Sequence, residues 1–161
     1  MKNIKSSIDR AVILLNTPCE YDKYISIKII PVPHQCCCFH CLPDAWDTIN
    51  EQIYPMHLED EGDVLIEKND EKFVLECHES GPEIISYLGL GIGAINLIIN
   101  LVKAIQNEKH KRIGRLKIVQ CRMIKTEFEE EETITEIELP LSNELIKKLN
   151  ETLKDAIEKK D

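Results

Sequence analysis

Apolar positions along the chain alternate between a period of two and a period of three to four, and the changes of period divide it into elements. From Tyr24 to Val32, Ile25, Ile27 and Ile29 alternate with Ser26 and Lys28 until Pro31 and Pro33 end the run, which predicts an amphipathic strand. Val64–Lys68 and Phe73–Cys77 predict two strands joined by a tight turn at Asn69 and Asp70, residues that tolerate left-handed backbone. Arg115 to Lys125 predicts another strand, and a slip in its alternation between Ile118 and Val119 predicts a bulge. Glu127 to Glu132 reads as an acidic connection held in solvent by charge repulsion, and Thr133 to Leu139 as a β-branched strand closed by Pro140. Trp46, Ile49 and Ile53 mark a short helix. Ser142 is placed to cap a final helix over 142–160, with Leu145, Ile146, Leu149, Leu153 and Ile157 on its apolar face and Leu141 and Ile146 spaced for a hydrophobic staple. Residues 2–16 fit a helical face through Ile4, Ile8, Ala11 and Leu15, but Ala11–Leu15 also fits a buried strand, and we assign a strand to that second half.

The centre of the chain poses the sharpest question. Gly81 to Lys111 predicts one long helix, begun by Pro82 and Glu83, and within it Ile84 to Val102 runs 19 residues without a charge. By length and composition that block suits a transmembrane helix at 84–102, followed by the basic residues Lys109, Lys111, Arg112 and Arg115 and carrying a Gly89/Gly93 pair suited to close helix packing. Periodicity favours a buried helix instead. Ser86, Gly89, Gly93, Asn96, Asn100, Lys103 and Asn107 recur three or four residues apart on one narrow stripe, which leaves a wide apolar surface for a core. Together the elements predict an α+β fold: an antiparallel sheet with helices on one face, packed against a long apolar central helix (81–111) and a C-terminal amphipathic helix. A length of 161 residues with 43% hydrophobic content suits a single domain over 1–161.

Charge narrows the classes of function. A net charge of −9 opposes sequence-independent binding to nucleic acid, which needs many cationic contacts to phosphate. Residues 44–83 carry 13 acidic side chains against 2 Lys, whereas 103–125 carry 8 Lys and Arg against the single Glu108. That asymmetry suits contact with an acidic partner, or with an anionic membrane leaflet. Asp9 and the lack of a small-residue cleavage site make the N-terminus a poor export signal, so the expected location is the cytoplasm, with inner-membrane association as the alternative. The 7 Cys then read as reduced thiols.

Candidate chemistry is sparse. Cys36, Cys38, His40 and Cys41 form the densest set of metal-ligating residues, and Cys38 and Cys41 have the C-x-x-C spacing with which two thiolates grip one ion; zinc is the metal that such donors suit. A second ligand pair is not evident, and buried reduced thiols are the plainer reading. Gly89-Leu-Gly91-Ile-Gly93-Ala94 matches the form of a dinucleotide-binding loop, but inside one helical pattern it lacks the strand-to-helix turn such a loop requires. Thus no cofactor is expected, and no catalytic constellation is apparent.

Glu79-Ser-Gly-Pro-Glu-Ile-Ile-Ser-Tyr-Leu-Gly-Leu-Gly-Ile-Gly-Ala-Ile, with the basic turn and the strand Arg-Leu-Lys-Ile-Val that follow, resembles the effector-associated constant component domains of bacterial conflict systems. The likeness spans residues 79–140. It implies a small α+β module with a long apolar helix, a basic turn and two following strands, acting as a signalling or adaptor element rather than an enzyme. The expected function is therefore a non-enzymatic cytoplasmic interaction or adaptor component, an accessory or sensor subunit in anti-phage defence. The alternatives are a membrane-anchored oligomerising effector and a small zinc-binding protein. The residues expected to meet a protein partner, or a second copy of the chain, are Gly89, Gly93, Asn96, Asn100, Lys103, Lys109, Lys111 and Arg112.

Overall fold

A computed structural model describes residues 4–32, 41–52, 62–68, 70–78, 81–110, 113–125 and 128–158. Its elements in chain order are α1 (Ile4–Leu15), a short 3-10 turn, β1 (Tyr24–Val32), α2 (Pro43–Gln52), β2 (Gly62–Lys68), β3 (Glu71–His78), β4 (Gly81–Tyr87), α3 (Ile92–Gln106), β5 (Arg115–Lys125), β6 (Phe128–Glu138) and α4 (Asn143–Glu158). The strands form one antiparallel sheet in the order β2-β3-β4-β1-β5-β6. The β2–β3 hairpin turns through Asp70 at φ 63, the left-handed geometry that Asp accommodates.

The strand alternation builds a core on each face of the sheet. Ile25, Ile27 and Ile29 of β1 join Phe73, Leu75, Ile84, Leu116 and Ile118 beneath α2, α3 and α4. On the opposite face Tyr24, Val74, Ile85, Val119 and Cys121 pack with Ile8, Ala11 and Leu15 of α1. Residues 11–15 are therefore helical, not a strand, and helices cover both faces of the sheet rather than one. An exposed Ile13 completes the amphipathic pattern of α1, which the short apolar run had obscured.

The long central helix is the principal correction. Residues 81–87 are the strand β4, hydrogen-bonded between β3 and β1, and the helix begins only at Ile92. A central strand covered on both faces is apolar at nearly every position, so its sequence resembles a buried helix. Pro82, Glu83, Ile84, Ile85 and Ser86 are all buried here. At 15 residues α3 is about 22 Å long, short of a bilayer's hydrocarbon core of about 30 Å. No helix among the described residues is long and apolar enough to cross a membrane, so the 84–102 span is overturned.

Elsewhere the expected pattern holds, with one shift and one extension. A register shift falls between Ile118 and Val119, where the sequence predicts the bulge, but the extra residue is Ile134 of β6, and β5 itself keeps its alternation, with Ile118 in one core and Val119 in the other. The acidic stretch, by contrast, is part of β6, whose backbone pairs with β5 from Phe128 onward, because ladder hydrogen bonds form whatever the side-chain charge. Ser142 Oγ accepts the Leu145 N–H at 3.1 Å, capping α4, and Leu141 and Ile146 pack against the core.

Candidate functional site

The most unusual local geometry lies where β4 turns into α3. Leu88 takes φ 64 and Gly89 φ 125. A left-handed conformation is natural for Gly and unfavourable for Leu, whose Cβ crowds the backbone. The turn is pinned from three sides. Leu88 N–H donates to the Lys23 carbonyl at 2.8 Å, the Ser86 hydroxyl donates to the Gly89 carbonyl at 2.5 Å, and Glu71 reaches across from the start of β3. Glu71 Oε2 accepts the Gly93 N–H at 2.8 Å and Oε1 accepts the Ala94 N–H at 2.9 Å. These amides belong to the first turn of α3, where N–H groups lack partners within the helix and the dipole favours an anion. A Cβ on Gly91 or Gly93 would lie 2.5 or 2.6 Å from the carboxylate, so the glycines make room for Glu71.

The glycine-rich segment thus does occupy a strand-to-helix turn, contrary to the helical placement expected from its sequence. Both neighbours of β4 run antiparallel to it, however, so there is no parallel βαβ crossover, and the chain's own carboxylate fills the anion position at the helix start.

This pinned turn projects apolar side chains into solvent, with Leu88 65% and Ile92 71% exposed. Asn96, Lys103 and Asn107 are exposed along the same outward side of α3, and Asn100 is half-buried there. Gly89 and Gly93 are half-buried beside Leu88 and Ile92. The expected stripe is therefore shortened at one end, because Ser86 is buried in β4. Lys109 is exposed at the far end of α3, while Lys111 and Arg112 lie outside the described residues.

Beyond α3, Asp44, Glu108 and His110 bring their ligand atoms within 4.8 Å of one another, a grouping that could hold a cation. Its acceptors are already engaged. The buried Glu108 accepts the Ala45 N–H (3.1 Å) through Oε1 and the His110 N–H (3.0 Å) through Oε2, and Asp44 Oδ2 accepts the Lys109 N–H (3.2 Å). His110 Nδ1 lies 3.1 Å from Asp44 and 3.2 Å from Glu108. Hydrogen bonding to Glu108, then to Asp44, raises the His110 pKa, while the Lys109 N–H leads the causes that lower that of Asp44. The group therefore ties the start of α2 to the end of α3. Its one legible sign in the sequence was a lone acid, Glu108, within a basic stretch.

On the α1 face, Arg10 Nε donates to Asp63 at 2.6 Å and its Nη2 donates to Glu76 at 2.7 Å. Glu76 and Glu83 are buried directly opposite one another on β3 and β4, and the Ser26 hydroxyl donates to Glu83. Burial works against the Arg10 charge, but attraction to Glu76 and then Asp63 outweighs it and raises the pKa.

The proposed metal ligands Cys36, Cys38 and His40 lie outside the described residues. Among those described, Cys41 is half-buried before α2, whereas Cys19 follows α1 and Cys121 is on β5, so no cysteine cluster is present there.

No protein-family model, curated protein or solved structure matches the chain. The fold and turn define an antiparallel α+β domain with a pinned, solvent-facing apolar spur.

Proposed function

We propose that this protein is a non-enzymatic interaction module that docks on a protein partner through the outward side of α3, led by Leu88 and Ile92. One observation carries the reading: two large apolar side chains project from a turn that holds Leu88 in a left-handed conformation. Both the exposure and the conformation work against the stability of the free chain, and a partner pocket compensates for them. Asn96, Asn100 and Lys103 then form a polar margin around the apolar contact, the arrangement of a small interface. The complementary partner surface has an apolar pocket and an acidic rim. The resemblance over residues 79–140 suggests a place as accessory or sensor component in a bacterial conflict system, although Gly81–Tyr87 of that segment is strand β4 and not part of the long helix the resemblance implies.

Photocrosslinking from positions 88 and 92 in the producing cell, with position 13 as an exposed control, tests the reading. We expect one discrete adduct from 88 and 92, absent from 13 and lost when the neighbouring spur residue is changed to Ser. Identical adduct patterns from all three positions, or none, would overturn it.

A further inference from the structure

We propose that the cleft between the β5–β6 pair and α4 binds a small zwitterion of about the size of a free amino acid. The cleft has a volume of about 280 Å³, near the lower edge for small-molecule sites and too small for a nucleotide or a folded peptide. Its polar walls are Gln120 and Arg122 from β5, Glu132 and Thr133 from β6, and Thr152 and Asp155 from α4. The register places Gln120 opposite Glu132, and the nearby bulge inserts Ile134 between the residues paired with Ile118 and Val119. Bulges re-aim side chains beside sites in this way.

Two independent features point to a ligand. Gln120 is only 4% exposed, and its buried Nε2 has no hydrogen-bond partner. A buried amide donor without an acceptor is unfavourable, and Gln120 is one of the residues that line the cleft. The second feature is the separation of charge: among the described residues, no ion pair joins Arg122 to Glu132 or Asp155, although all three line the same cleft. A ligand with one anionic and one cationic end satisfies both sets. Arg122 and the Gln120 amide take its carboxylate. Asp155, Glu132 and the Thr152 oxygen take its ammonium; the Thr152 hydroxyl proton is already donated to the Lys148 carbonyl at 2.8 Å, which leaves the oxygen as an acceptor.

Titration of ¹⁵N-labelled protein with each common amino acid, using propionate and ethylamine as single-charge controls, tests the proposal. At least one zwitterion should shift the Gln120 side-chain amide and Thr152 signals saturably, and both controls should bind about tenfold more weakly or worse. Arg122→Met should weaken binding by a similar factor; if it fails to fold, Thr152→Val replaces it, with the same expectation. No saturable shift with any amino acid, equal binding of a control, or unchanged affinity in the folded variant would each overturn the proposal.

Discussion

Glu71 on β3 and Gly93 on α3 are joined by a 2.8 Å hydrogen bond from a backbone N–H to a carboxylate, across 22 residues of sequence. The bond fixes the start of α3 against the β2–β3 hairpin and thereby sets the position of the apolar spur. Glu71→Ala removes the cap and should cost about 0.5–2 kcal/mol. Gly93→Ala forces the same carboxylate away and should cost a similar amount. Because both changes break one interaction, denaturant unfolding of the double variant should show little loss beyond that of either single change.

Leu88 should carry a stability cost that a functional contact retains. Leu88→Gly relieves the left-handed strain, partly offset by the added freedom of the unfolded chain, for a net gain of about 0.5–1 kcal/mol. Calorimetry should show a raised Tm in a variant that crosslinks more weakly from position 92. A lowered Tm would mean that Leu88 packs inward instead.

The His110 junction makes stability depend on pH in a defined sense. The folded pKa of His110 is raised, so its contribution is complete below the ordinary value of 6.5 and is lost as pH rises through the folded value. That of Asp44 is lowered, so its contribution is complete above the ordinary value of 3.8 and is lost as pH falls through the folded value. Between those two limits the tie between α2 and α3 is strongest. The Tm difference between the native chain and His110→Asn should therefore be largest in mildly acidic buffer and shrink above neutrality; a difference independent of pH would contradict this.

Arg10 neutralises carboxylates that have little access to water. Its side chain is 36% exposed whereas that of Glu76 is fully buried. Allowing for screening at the exposed end, Arg10→Met should cost about 2–4 kcal/mol by removing the cation that faces the buried Glu76 carboxylate. Adding Glu76→Leu should recover part of that loss, because an apolar pair of similar volume removes the charge from the core. Urea unfolding of the two variants checks both signs.

The sequence by itself determined the elements whose period differs on their two sides. The β1 alternation, the turn at Asp70 and the Ser142 cap are local consequences of residue type, and each is legible in the sequence. Tertiary structure decided the rest. Glu83 to Tyr87 became a strand because β1 and β3 supplied its hydrogen-bond partners, although its apolar run also suited a helix. Gly91 and Gly93 became the start of a helix because Glu71, distant in sequence, occupies the space their missing side chains leave. The cleft around Gln120 depends on a β6 bulge at Ile134 lying beside α4, and the Asp44–Glu108–His110 tie joins groups more than 60 residues apart. Periodicity records which side of an element is covered; which element covers it, and which charges then meet, is settled only by long-range packing.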